Sequence, residues 1–98
     1  MTTSEQIRAA RALLRWEQKD LAEASAVSLP SIKRLETIPG ALAAQARTVD
    51  ALRCALEAAG VEFIAENGGG AGVRLRKGAR GDPDASLRVE DLNSANDE

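Results

Sequence analysis

The side chains able to do chemistry are few, and their types narrow the options at once. The 98 residues contain no histidine, one cysteine, one tryptophan, one phenylalanine and no tyrosine. Without histidine there is neither an imidazole general base nor a histidine metal site. Cys54 alone can make no internal disulfide and no cysteine-cluster zinc site. In an Ala/Leu-rich stretch it reads as a small apolar core or boundary residue rather than a redox switch. Asp20 and Glu23, three apart, have the spacing of an ordinary solvated helix face. Gly68, Gly69, Gly70 and Gly72 are not followed by the Gly-Lys-Ser/Thr of a phosphate loop, so they read as a hairpin turn. Arg80-Gly81-Asp82 is a chance tripeptide. No enzyme, metal or cofactor is expected. The remaining chemistry is that of binding, by exposed cations and hydrogen-bonding side chains such as Lys33 and Arg34.

Charge says what could be bound. The net charge of −2 conceals two regions: residues 1–80 carry 12 Lys/Arg against 9 Asp/Glu, and residues 81–98 carry one Arg against six acids. A mildly basic body suits polyanions without proving a nucleic-acid partner. The acidic end explains a pI of 5.2, low for a DNA-binding domain. Two aromatic residues are too few for stacking on single-stranded bases. Trp16 reads as packing under a helix junction rather than as a base-stacking platform. No apolar run is long enough for a membrane span and no signal-peptide core opens the chain, so a cytoplasmic protein is expected.

The elements that must position these residues follow from periodicity and punctuation. Leu, Ile, Val and Phe total 21 and Ala adds 19, so the core is small and suits close-packed short helices. Thr3 or Ser4 caps a first helix with Ile7, Ala10, Leu13 and Leu14 on its apolar stripe. A second helix spans 18–25. Ala26-Val27 makes a tight turn, and Ser28 caps a third helix with Pro30 in its first turn. Ile32 and Leu35 face inward; Lys33 and Arg34 face out. Ile38-Pro39-Gly40 ends that helix. A connector over 38–47, with a brief helical turn at 41–45, leads to a helix over 49–59 capped by Thr48 and closed by Gly60.

The period then changes to two. Val61, Phe63 and Ala65, then Val73 and Leu75, alternate with polar residues about the turn at Asn67-Gly68-Gly69-Gly70, which predicts a β-hairpin. Pairing Phe63 with Leu75 would set Glu62 near Arg76. A lone two-stranded hairpin is marginal in water, so its apolar face needs cover from its own helices or from a second subunit. Val61, Phe63, Val73 and Leu75 are therefore the candidate dimerisation residues. Residues 78–98 are expected to be disordered, with room for one helical turn at 86–92.

Residues 18–36, QKDLAEASAVSLPSIKRLE, are two short helices about a tight turn, with Leu21, Ala22, Val27, Ile32 and Leu35 inward. That is a helix-turn-helix by packing, although an ordinary helical hairpin would share it. Gln18 with Asp20-Leu21-Ala22, Val27-Ser28, Ile32 and Leu35-Glu36, plus Arg11 seven residues before the glutamine, closely resembles the phage-repressor-like, Xre-type regulators over about residues 5–59. The hairpin resembles that of a small bacterial subgroup. The resemblance implies a mainly α fold: a compact four- to five-helix helix-turn-helix domain over 1–60, a hairpin over 61–77 and an acidic tail over 78–98. It also implies an Arg11–Glu36 ion pair.

By the same resemblance the third helix, about 28–37, enters the major groove of double-stranded DNA. Gln18, Lys19, Ser31, Lys33 and Arg34 would then contact phosphates, and Ser28, Leu29 and Lys33 would face base edges beside Pro30. The chain departs from its relatives at Leu29-Pro30, where they carry polar readers. It departs again at Ala26, where they favour glycine. The implied function is a transcriptional regulator, a repressor bound as a homodimer to a pseudo-palindromic site. The alternative is a protein-interaction module of antitoxin or antiactivator kind, using the hairpin or the acidic tail.

Overall fold

Local sequence sets most helix boundaries. The computed structural model describes residues 1–77, so the expectations for 78–98 lie outside the described residues. Helix α1 (Ser4–Leu14) opens on a capping box: Thr3 Oγ1 accepts the Gln6 N–H at 3.1 Å, and Gln6 Oε1 accepts the Thr3 N–H at 3.0 Å. Helix α2 (Gln18–Ser25) opens with Asp20 accepting the Glu17 N–H at 2.8 Å. Helix α3 (Leu29–Thr37) is capped by Ser28, with Pro30 in the first turn, where its missing N–H costs nothing. It stops at Ile38, which Pro39 holds extended. Helix α4 (Ala46–Ala58) precedes the antiparallel strands β1 (Val61–Ile64) and β2 (Gly72–Leu75).

Two boundaries differ from expectation. The connector has no helical turn at 41–45. The start of the chain satisfies its backbone instead: Ser4 N–H donates to Gly40 O at 2.9 Å, Leu42 N–H donates to Thr2 O at 3.1 Å, and Thr3 bridges Ala41. α4 begins three residues before the expected start at 49, with Gln45 in the cap position. Thr48 and Val49 already donate to Gln45 O at 3.0 and 3.1 Å, so Thr48 lies inside the first turn.

The hairpin register also differs. Phe63 faces Val73 and Glu62 faces Arg74, two residues from the expected pairing on β2. A slip of two keeps every side chain on its face, so the apolar side is unchanged. Arg76 follows the end of β2 and continues the pairing: its N–H donates to Gly60 O and its Nη1 to Glu57 O, each at 2.8 Å.

The core gathers Ile7, Ala10 and Leu14 from α1, Leu21 from α2, Ile32 and Leu35 from α3, Leu52 and Leu56 from α4, and Val61 from β1. Leu13 falls off the stripe at 40 % exposure, and Cys54 is exposed rather than a core residue. The two lie on outer helix faces, beside Leu14 and midway between Leu52 and Leu56, where a 100° step per residue carries them away from the core. The hairpin packs on α1 and α4, so the cover its apolar face requires comes from its own chain. Val61 is fully buried there. Phe63, Val73 and Leu75 are half-buried against the same core. Among the described residues no helix is long and apolar enough to cross a membrane.

Candidate nucleic-acid interface

The turn between α2 and α3 is built from short side chains and one left-handed residue. Ala26 adopts φ 63°, and its N–H closes on Ala22 O at 2.9 Å. Ser25 Oγ donates to Leu21 O at 2.7 Å and accepts the Val27 N–H at 3.1 Å. Val27 packs against the core beneath the turn, while Leu21, Ile32 and Leu35 bury the facing sides of the two helices.

α3 is held from the other side by α1. Arg11 donates from Nε to Glu36 Oε2 at 2.7 Å and from Nη2 to Glu36 Oε1 at 2.6 Å. Its Nη1 donates to Trp16 O at 2.9 Å. Gln18 joins the network, donating from Nε2 to Glu36 Oε1 at 3.0 Å. The glutamine's side chain is therefore directed partly inward, leaving one amide N–H and the amide oxygen for any outside contact. Trp16 is half-buried and packs against the core.

With one face fixed inward, the opposite face of α3 becomes a ridge. Ser28, Pro30, Lys33 and Arg34 are exposed on it, and Leu29 and Ser31 are half-buried at its start. A furrow runs along each flank. One is lined by Glu17, Gln18, Lys19, Leu29 and Lys33. The other is lined by Ala26, Val27, Ser31, Arg34, Ala43, Ala44, Gln45 and Thr48. Each furrow thus carries one cation from the ridge. Among the described residues neither Lys33 nor Arg34 has a salt-bridge partner, and Lys19 reaches only Glu17, at 3.8 Å and in solvent. Ser28 Oγ donates to Ser31 Oγ at 2.8 Å, so that hydroxyl proton is used within the cap.

The structure brings Gln18, Lys19, Leu29 and Lys33 together on one flank and Ser31 and Arg34 on the other, with Ser28 and Pro30 at the tip. A further cation, Arg47, falls in the expected connector by sequence. Arg47 is exposed in the first turn of α4, between Gln45 and Thr48 of the second furrow. Its signal is a cation at a helix N-terminus, where the helix dipole disfavours it. A ridge with an exposed cation on each flank can grip a polyanion on two sides. No protein-family model matches the chain, and no curated protein matches it.

Proposed function

We propose that the chain is a sequence-specific DNA-binding transcriptional regulator, a repressor of the phage-repressor-like, Xre-type helix-turn-helix kind. The observation that carries this reading is the α3 ridge with Lys33 and Arg34 exposed on its opposite flanks, neither in a salt bridge among the described residues. A major groove about 12 Å wide admits one helix and places a phosphate strand on each side of it. Lys19 and Arg47 widen the cationic surface, and Gln18 and Ser31 supply neutral donors. α3 has nine residues, a length of roughly 13 Å, which spans only about four base pairs. So short a reading head favours a homodimer on a pseudo-palindromic site, with half-sites roughly 10 bp apart.

The test is fluorescence anisotropy of the full chain against the duplex upstream of its own gene, with a scrambled duplex as control and salt titrated. The native duplex should bind more tightly, with a steep salt dependence. A Lys33→Ala, Arg34→Ala variant with an unchanged circular dichroism spectrum should bind at least about tenfold more weakly, its salt slope reduced by about two. A variant that binds like the parent overturns the placement of α3. Absence of binding at low salt transfers the assignment to a protein-interaction module, which the apolar Leu29-Pro30 tip would suit.

A further inference from the structure

The leading turn of α3 offers little that reads a base edge by hydrogen bonding. Ser28 spends its hydroxyl proton on Ser31 Oγ and accepts the Ser31 N–H at 3.3 Å. Pro30 is exposed and has no N–H. Gln18 commits one amide N–H to Glu36. Within that turn the Ser31 hydroxyl proton is the side-chain donor left over, and the other donors stand on the flanks: Arg34 on one side, and the second Gln18 amide N–H, Lys19 and Lys33 on the other.

Leu29 is the unusual residue. It is half-buried yet stands apart from the hydrophobic core, lying in the surface furrow between Lys19 and Lys33. Glu17, the one acid in that furrow, pairs with Lys19. An apolar tip between cations has one counterpart in the major groove: the pyrimidine 5-methyl, the apolar group that thymine displays there. 5-Methylcytosine carries the same group at the same ring position.

We infer that the tip of α3 is a pyrimidine-methyl reader. Leu29, with Pro30 beside it, covers the 5-methyl of one pyrimidine per half-site while Lys19 and Lys33 hold the flanking phosphates. The inference rests on the proposed DNA-binding function and adds what the site discriminates. Thymine is preferred over uracil, and 5-methylcytosine over cytosine, so cytosine methylation at that position raises affinity.

The experiment uses the full 98-residue chain. Randomised duplexes are selected on it, and the best binder is resynthesised with each thymine replaced singly by uracil. At the position that responds, cytosine and 5-methylcytosine are then compared. A single uracil at the contacted position of one half-site should weaken binding by about fourfold, the effect of one methyl left in water. 5-Methylcytosine should restore a similar factor over cytosine. Leu29→Ala should abolish both differences while keeping the parent's salt slope. Pro30→Ala, which leaves the leucine in place, should keep most of the discrimination. Uracil duplexes that bind as well as thymine duplexes overturn the inference and leave the DNA-binding reading standing. Methyl discrimination that survives in Leu29→Ala overturns the assignment to that residue. Failure to enrich any duplex overturns both readings.

Discussion

Arg11 and Glu36 are joined by two parallel hydrogen bonds, 2.7 and 2.6 Å long, that tie the last turn of α1 to the end of α3. Glu36 is 5 % exposed and Arg11 18 %. Removing one partner strands the other in a poorly solvated site. Arg11→Met should therefore cost about 3 kcal/mol, while Arg11→Met with Glu36→Leu should cost much less than the two single changes together. Urea denaturation of the three variants measures this. A cost for Arg11→Met below about 1 kcal/mol would place the pair in the class of exposed salt bridges.

Gln6 couples the helices to the hairpin. Its Nε2 donates to Gly72 O at 3.0 Å and Ile64 O at 3.4 Å, while its Oε1 serves the α1 capping box. Gln6→Glu keeps the capping oxygen but sets a carboxylate against two carbonyls. The variant should lose about 2 kcal/mol. Amides of β1 and β2 should exchange faster with solvent than those of α2 and α3, because a two-stranded hairpin depends on its docking. A uniform rise in exchange across all elements would show that the bond does not hold the hairpin separately.

The elements legible in the sequence are those decided by neighbours in the chain. The range of α2 follows from its polar start and the turn after Ser25, and Ser28 announces α3 because a serine before Pro30 can cap it at no cost. The period of two over 61–75 reveals the hairpin. Partnerships between distant residues are not visible in the same way. Thr48 is the better cap by side-chain chemistry, yet α4 starts at Ala46, after a connector whose backbone is already paired with residues 2–4. The hairpin register escapes because a long glycine-rich loop fixes no pairing, and Glu62–Arg74 is as good an ion pair as Glu62–Arg76 would be. At the site, Gln18 and Arg11 stand out by spacing. The inward pull of Gln18 on Glu36 depends on how the helices meet, and the place of Arg47 in the first turn of α4 depends on where that helix starts.

Ala26 carries a backbone conformation that a side chain opposes. Its φ of 63° lies in the left-handed region, which costs an L-residue roughly 1–2 kcal/mol. Ala26→Gly relieves that cost but gives the unfolded chain more freedom, so the net gain should be about 0.5–1 kcal/mol. The thermal midpoint should rise by several degrees. Ala26→Val should lower it, since β-branching deepens the conflict. A glycine variant less stable than the parent would show that the turn is held by contacts of the alanine methyl.

Glu5 links acid stability to the connector between α3 and α4. Hydrogen bonds from its own N–H and from Gly40 N–H, the latter at 3.1 and 3.3 Å to its two oxygens, hold the carboxyl below its ordinary value. Glu62 is lowered in the same sense by its hydrogen bonds from Arg74. A carboxyl lowered in the folded state binds its proton more readily when unfolded. Its contribution is therefore complete above the unfolded value, about 4.3, and is lost as pH falls through the folded value. Urea midpoints should be insensitive to these two groups between pH 7 and 5 and should fall below about pH 4. Glu5→Gln should be less stable than the parent at pH 7, and the gap should close as acid protonates the parent's carboxyl. A gap that stays constant down to pH 3 would mean that the neutral amide holds Gly40 differently from the carboxylate, and that residue 5 fixes the connector by shape rather than by charge.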